Sequence, residues 1–106
     1  GNTPLHQAAL FGHCDLCELL LDAKASPNIA DHLGFTPLYQ AAVHGQKEIV
    51  DLLLAARGNV DLPNVMGQPM LEVAAQRGYR SVVLRLRDAG APEYYKEEPS
   101  QISWKN

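Results

Sequence analysis

Cysteine is nearly absent. Cys14 and Cys17 are the only two in 106 residues, too few for a disulfide framework. A reducing, intracellular compartment, cytoplasmic or nuclear, is the simpler expectation. No apolar run approaches the roughly 18 residues of a membrane span, so no membrane insertion is expected, and no signal peptide is visible. A basic excess is also missing. The formal net charge is −3, with both signs interspersed, whereas a nucleic-acid footprint needs a basic patch or stripe; no nucleic-acid partner is expected. There is no glycine-rich phosphate loop and no Ser, His and acid arrangement. The expectation is therefore no enzyme, no catalytic residue and no cofactor. What remains is a chain with 46% hydrophobic residues, enough to bury the core of one domain.

One phrase recurs. "GNTPLHQAALFG" starts at Gly1, "GFTPLYQAAVHG" at Gly34 and the more worn "GQPMLEVAAQRG" at Gly67, a period of 33 residues without insertions. Self-similarity at this period signals a stacked repeat architecture. Each copy has a physical reading. Thr36 is a helix N-cap and Pro37 suits the first helical position. Leu38, Ala41 and Ala42 share one face of a short helix, and the small alanines admit a close neighbour. Gly45 ends that helix. A second helix follows in "KEIVDLLLAA", with Ile49, Val50, Leu53 and Leu54 facing inward. "NVDLPNVMG" then makes an extended excursion into the next copy.

Thr-Pro-Leu-His at 3–6 and Thr-Pro-Leu-Tyr at 36–39 resemble the ankyrin-repeat signature. "GHCDLCELLL" and "GQKEIVDLLL" are similar to that family's second-helix wording. The resemblance covers residues 1 to about 91. It implies an all-α solenoid of antiparallel helix pairs with projecting β-hairpin-like loops, divided as 1–33, 34–66 and 67–91. Residues 92–106 form a C-terminal tail or linker. Lys24 and Arg57 replace the glycine that usually closes the second helix, and Gly90 keeps it. A left-handed non-glycine residue costs roughly 1–2 kcal/mol, so those corners should be strained or reshaped. Pro69 replaces the threonine cap of the third copy, whose helix should start differently.

The ends of the array differ. Leu19-Leu20-Leu21 and Leu52-Leu53-Leu54 become Arg85-Leu86-Arg87. Two charges enter where a further repeat would stack, so the third copy reads as a C-terminal cap. Leu5, Ala8, Leu16, Leu20 and Leu21 of the first copy look internal. Further repeats or another capping element are expected before Gly1; without them, the fragment should dimerise through this N-terminal face. In the tail, Tyr94, Tyr95 and Trp104 either cover the last repeat or form a motif leading to another domain.

Cys14-x-x-Cys17, with His13 beside it, raises metal or redox chemistry. The register opposes both. Cys17 aligns with Val50 and Val83, as a small core residue, and Cys14 aligns with Lys47 and Arg80, facing water. No metal site is expected. The resemblance gives His6 a structural role, hydrogen-bonding the loops. His32 and His44 stand at positions the family leaves variable, as ligand contacts or as solvated residues. It also implies that Asn28 occupies a loop position open to asparaginyl hydroxylation.

Ankyrin-like stacks usually bind through loop tips and the exposed side of the first helix. Mapped here, that pattern gives Asn2, Leu10, Phe11, His32, Leu33, Phe35, Val43, His44, Val65, Met66, Gln68, Gln76 and Arg77. Apolar residues at solvent-facing positions suggest an interaction site when contiguous. The expected function is a scaffold or adaptor module binding a peptide or helix with apolar anchors. The alternative is a structural module packing against a neighbouring domain of the same chain. The groove should be apolar toward the first two copies and polar at the third.

Overall fold

The structure, a computed structural model, describes residues 2–91. They form six helices in three pairs: α1 (Pro4–Phe11) and α2 (Cys14–Asp22), α3 (Pro37–Val43) and α4 (Lys47–Ala55), α5 (Met70–Gln76) and α6 (Arg80–Asp88). First helices pack on first helices, α1 on α3 and α3 on α5. Second helices pack likewise, α2 on α4 and α4 on α6. The result is a two-layered stack, as the 33-residue register requires, and no strand occurs among the described residues.

The helix starts follow the local chemistry. Thr3 Oγ1 accepts from His6 N–H at 3.3 Å, while the His6 side chain accepts from Thr3 N–H at 3.1 Å, a reciprocal cap. Thr36 Oγ1 accepts from Tyr39 N–H at 3.1 Å. Pro69 makes no side-chain cap, yet α5 begins at the equivalent register position. The expectation of a different start is corrected. Pro69 already holds φ −69° and ψ 145°, the extended geometry that a capping residue needs. Only the hydrogen bond is lost.

Core burial runs in columns through the stack. Leu5, Leu38 and Leu71 are buried, as are Ala8, Ala41 and Ala74. Two further kinds of column reveal the ends. Ile49, Leu53, Val82 and Leu86 are buried, but their counterparts Leu16 and Leu20 in the first repeat are not. Ala9, Ala42, Cys17 and Val50 are buried, but Ala75 is exposed and Val83 half-buried. The first set is covered by the preceding repeat and the second by the following one. Only the middle repeat has both covers, and it alone buries its whole set.

The cap expectation needs correction in one particular. Arg85 does not face outward along the stack. Its Nε–H donates to Asp51 Oδ1 of α4 at 2.6 Å. The pair is half-exposed, so its stabilising effect is small. Arg85 and Arg87 also occupy the last turn of α6, where cations complement the helix dipole. Beside them, Leu84 is 53% exposed, so the third repeat's outer face is not uniformly polar.

Lys24 and Arg57 hold φ of 73° and 69°. The corners are therefore not reshaped; both keep the left-handed conformation that glycine would adopt without penalty. Lys24→Gly and Arg57→Gly should each stabilise the fold by about 0.5–1 kcal/mol, the relieved strain less the added chain entropy. Denaturant unfolding checks this, and unchanged or lower midpoints for both variants would remove strain as the explanation.

Candidate protein-interaction face

The loop tips are built by a repeated side-chain device. Asp31 Oδ1 accepts from Leu33 N–H and Phe35 N–H, both at 2.9 Å. Asn64, one repeat later, does the same through Oδ1 for Met66 N–H at 2.9 Å and Gln68 N–H at 3.0 Å. The main chain closes each tip, with Asp31 N–H on Phe35 C=O and Asn64 N–H on Gln68 C=O. The sequence reading passed over these two residues. Their signal was legible as Asp31-x-x-Gly34 and Asn64-x-x-Gly67.

Each tip is then tied to a first helix. His6 Nε2 lies 2.7 Å from Phe35 C=O. A carbonyl only accepts, so Nε2 carries the proton and Nδ1 is the acceptor that Thr3 N–H meets. In the next repeat Tyr39 O–H donates to Gln68 C=O at 2.7 Å. The structural role expected of His6 is borne out, and Tyr39 repeats it with different chemistry. Asn28 adds a third link, donating through Nδ2 to Arg57 C=O and accepting from Asn59 N–H.

Neighbouring tips touch directly. Val65 N–H donates to Leu33 C=O at 3.0 Å. This approach depends on Gly34, whose φ is +85°; a Cβ there would lie 2.6 Å from the Val65 nitrogen. Side chains at the joined tips point to solvent: Leu33 is 48% exposed, Val65 67% and Met66 79%. His32 is exposed beside them. At the other end of the first helices, Phe11 is 63% exposed, near the His13 ring. His44, Gln76 and Arg77 are exposed there too, and Arg77 Nη1 donates to Val43 C=O at 2.7 Å. The seven-residue α3 separates these two ends by about 10 Å.

Three residues of the expected face are placed otherwise. Val43 is 5% exposed and belongs to the core. The last helical residue of α3 turns its side chain toward the stack. Phe35 is half-buried and packs on Tyr39, with ring centroids 5.1 Å apart. Leu10 is half-buried as well. The premise that these apolar residues face solvent without a packing reason fails for Val43 and, in part, for Phe35 and Leu10. Exposed Leu16, Leu19, Ile29 and Leu84 lay outside the expected face.

The cysteines differ from each other less than the register suggested. Cys17 is fully buried, and burial pushes its thiol up to about 11. Cys14 is half-buried against the core rather than open to water. Desolvation, then Asp15, raises its pKa too. Both shifts disfavour the thiolate that nucleophilic or metal-binding chemistry uses. Among the described residues no three His, Cys, Asp or Glu side chains converge as metal ligands.

A family model described as ankyrin repeats, in three copies, matches residues 5–96. The chain belongs to the ankyrin-repeat family. Ankyrin repeats are generally protein–protein interaction modules. A search of curated proteins found no match. Among the described residues no helix is long and apolar enough to cross a membrane.

Gly34→Ala should separate the two tips, destabilising the fold by at least about 1–2 kcal/mol through backbone strain alone; Gly67→Ala, with no atom near its would-be Cβ, should lose less. Equal losses in thermal unfolding would discount the close approach. A second test uses His44, whose pKa lies below the ordinary 6.5 because of partial burial and then the Arg77 charge. A base depressed in the fold binds fewer protons than in the unfolded chain, so its contribution is complete above pH 6.5 and lost as pH falls through the folded value. Melting between pH 7.5 and 5.5 should therefore drop further in the unaltered chain than in His44→Gln.

Proposed function

We propose that this chain is a scaffold or adaptor segment that binds an extended peptide or helix carrying apolar anchors. The carrying observation is the joined pair of loop tips. Leu33 and Val65 are held side by side through one backbone hydrogen bond, with both side chains and Met66 exposed. A single exposed hydrophobe means little, whereas contiguous ones support an interaction site. Burying a side chain of this size contributes about 1.5–3 kcal/mol, and a methionine adapts to irregular partners.

The rest of the face supplies direction. Phe11 is apolar in the first repeat, while His44, Gln76 and Arg77 follow in the second and third. A ligand running along the first-helix ends would meet an aromatic ring first and polar groups last. Arg77 is pre-positioned by its bond to Val43 C=O, so less side-chain freedom is lost when it meets an acceptor. The tips are rigidly set by Asp31, Asn64, His6 and Tyr39, which lowers the ordering cost of binding.

Selection of random peptides against the chain, followed by affinity measurement, tests this reading. Val65→Ser with Met66→Ser should weaken the selected peptide at least tenfold, or about 1.4 kcal/mol, with thermal unfolding nearly unchanged. Equal affinity for the double variant would sink it. Phe35→Ala is the unsuitable choice, because that ring packs on Tyr39 and its loss would mix stability with binding.

A further inference from the structure

The two ends of the described stack are unlike each other. The first repeat leaves Leu16 and Leu20 uncovered, and the third leaves Ala75 and Val83. Inside the chain, sets of these two kinds cover one another at each boundary between repeats. On the third repeat an open groove of about 490 Å³ runs along α6, lined also by Arg80, Leu84 and Arg87. The ends differ in charge as well. The charged residues of α2 are all acidic, Asp15, Glu18 and Asp22, whereas α6 carries Arg80, Arg85 and Arg87 with one acid, Asp88. None of these residues belongs to the loop tips, so the surface is separate from the one proposed above.

Contacts inside the chain fix the register in which second helices stack. Arg85 pairs with Asp51 of the preceding repeat, 34 residues earlier. Glu18, Leu21 and Asp22 share a pocket with Leu52, Ala55 and Ala56, at the same offset. A Cβ on Gly12 would meet Gln46, and one on Gly45 the Tyr79 ring, again at that offset. Carried one boundary further, it sets Arg80 opposite Asp15 of a second copy, Leu84 opposite Leu19 and Arg87 opposite Asp22. Residues 80, 84 and 87 share one stripe of α6, and 15, 19 and 22 share one of α2. A basic, apolar, basic stripe therefore meets an acidic, apolar, acidic one. Leu84 and Leu19 are 53% and 66% exposed. They align with Asp51 and Arg85, the pair that bridges the internal boundary.

We propose that copies of this chain associate head to tail, the first repeat of one seated on the third repeat of another as though the array continued. Such a contact is heterologous, so a pair of copies still has one face open at each end. A symmetric contact between two first repeats would instead bring two acidic helices together. Analytical ultracentrifugation of the whole chain tests this. The average mass should rise with concentration past two copies. Leu84→Asp and Leu19→Arg should each weaken association roughly tenfold or more, by setting a charge against a leucine. Both positions are exposed, and the new residues are those that Asp51 and Arg85 already supply at the aligned positions. An equimolar mixture of the two variants should return to within about threefold of the unaltered chain, because it rebuilds the Asp51–Arg85 pairing across the boundary. A chain that stays a single copy up to roughly millimolar concentration overturns the proposal. So does a mass that levels off at two copies, the mark of a symmetric contact. Association untouched by Leu84→Asp, or a mixture no stronger than either variant alone, ends it equally.

Discussion

No helix pair here can bury its own apolar surface. Each repeat presents one set of side chains backward, around Ile49 and Leu53, and another forward, around Ala42 and Val50. Both need a neighbour. The hydrophobic contribution is therefore collective across the stack, and interfaces between repeats carry much of what holds the fold together. Everything else is arranged so that this stacking can occur: alanines that let first helices approach, equal loop lengths that preserve register, and corners that turn the chain back each time.

The joined loop tips are a by-product of the same constraint. Tips come side by side because the helices beneath them do. Hydrogen bonds then reinforce what packing begins: His6 and Tyr39 each reach forward to the main chain of the next tip, while Asp31 and Asn64 shape the tips locally. The apolar side chains of Leu33, Val65 and Met66 at those tips have no part in the core.

The solenoid was legible in the sequence, because a 33-residue period aligns equivalent residues without any knowledge of their contacts, and the role of His6 followed from the family resemblance. The loop tips were legible in part. Leu33, Val65 and Met66 are exposed where the register placed them. Val43 was misplaced because the end of a short helix faces inward or outward by a rotation of one residue, which a repeat alignment does not report. Phe35 was misplaced because its ring lies on Tyr39, a contact between the loop and its own helix. Arg85 was read as an outward charge, since nothing in its own repeat points to Asp51 in the one before.

The corner residues carry a further consequence. Lys24 and Arg57 put an exposed basic residue just after the second helix of the first two repeats. A trypsin-like protease cuts after such residues but needs the surrounding chain extended. With φ near +70°, both bonds are held in a turn it cannot use. Cleavage then waits for the junction to open, and its rate follows how often adjoining repeats part. The substitutions that strain the two corners thus also mark them, each at the close of a second helix and ahead of the loop that leads into the next repeat.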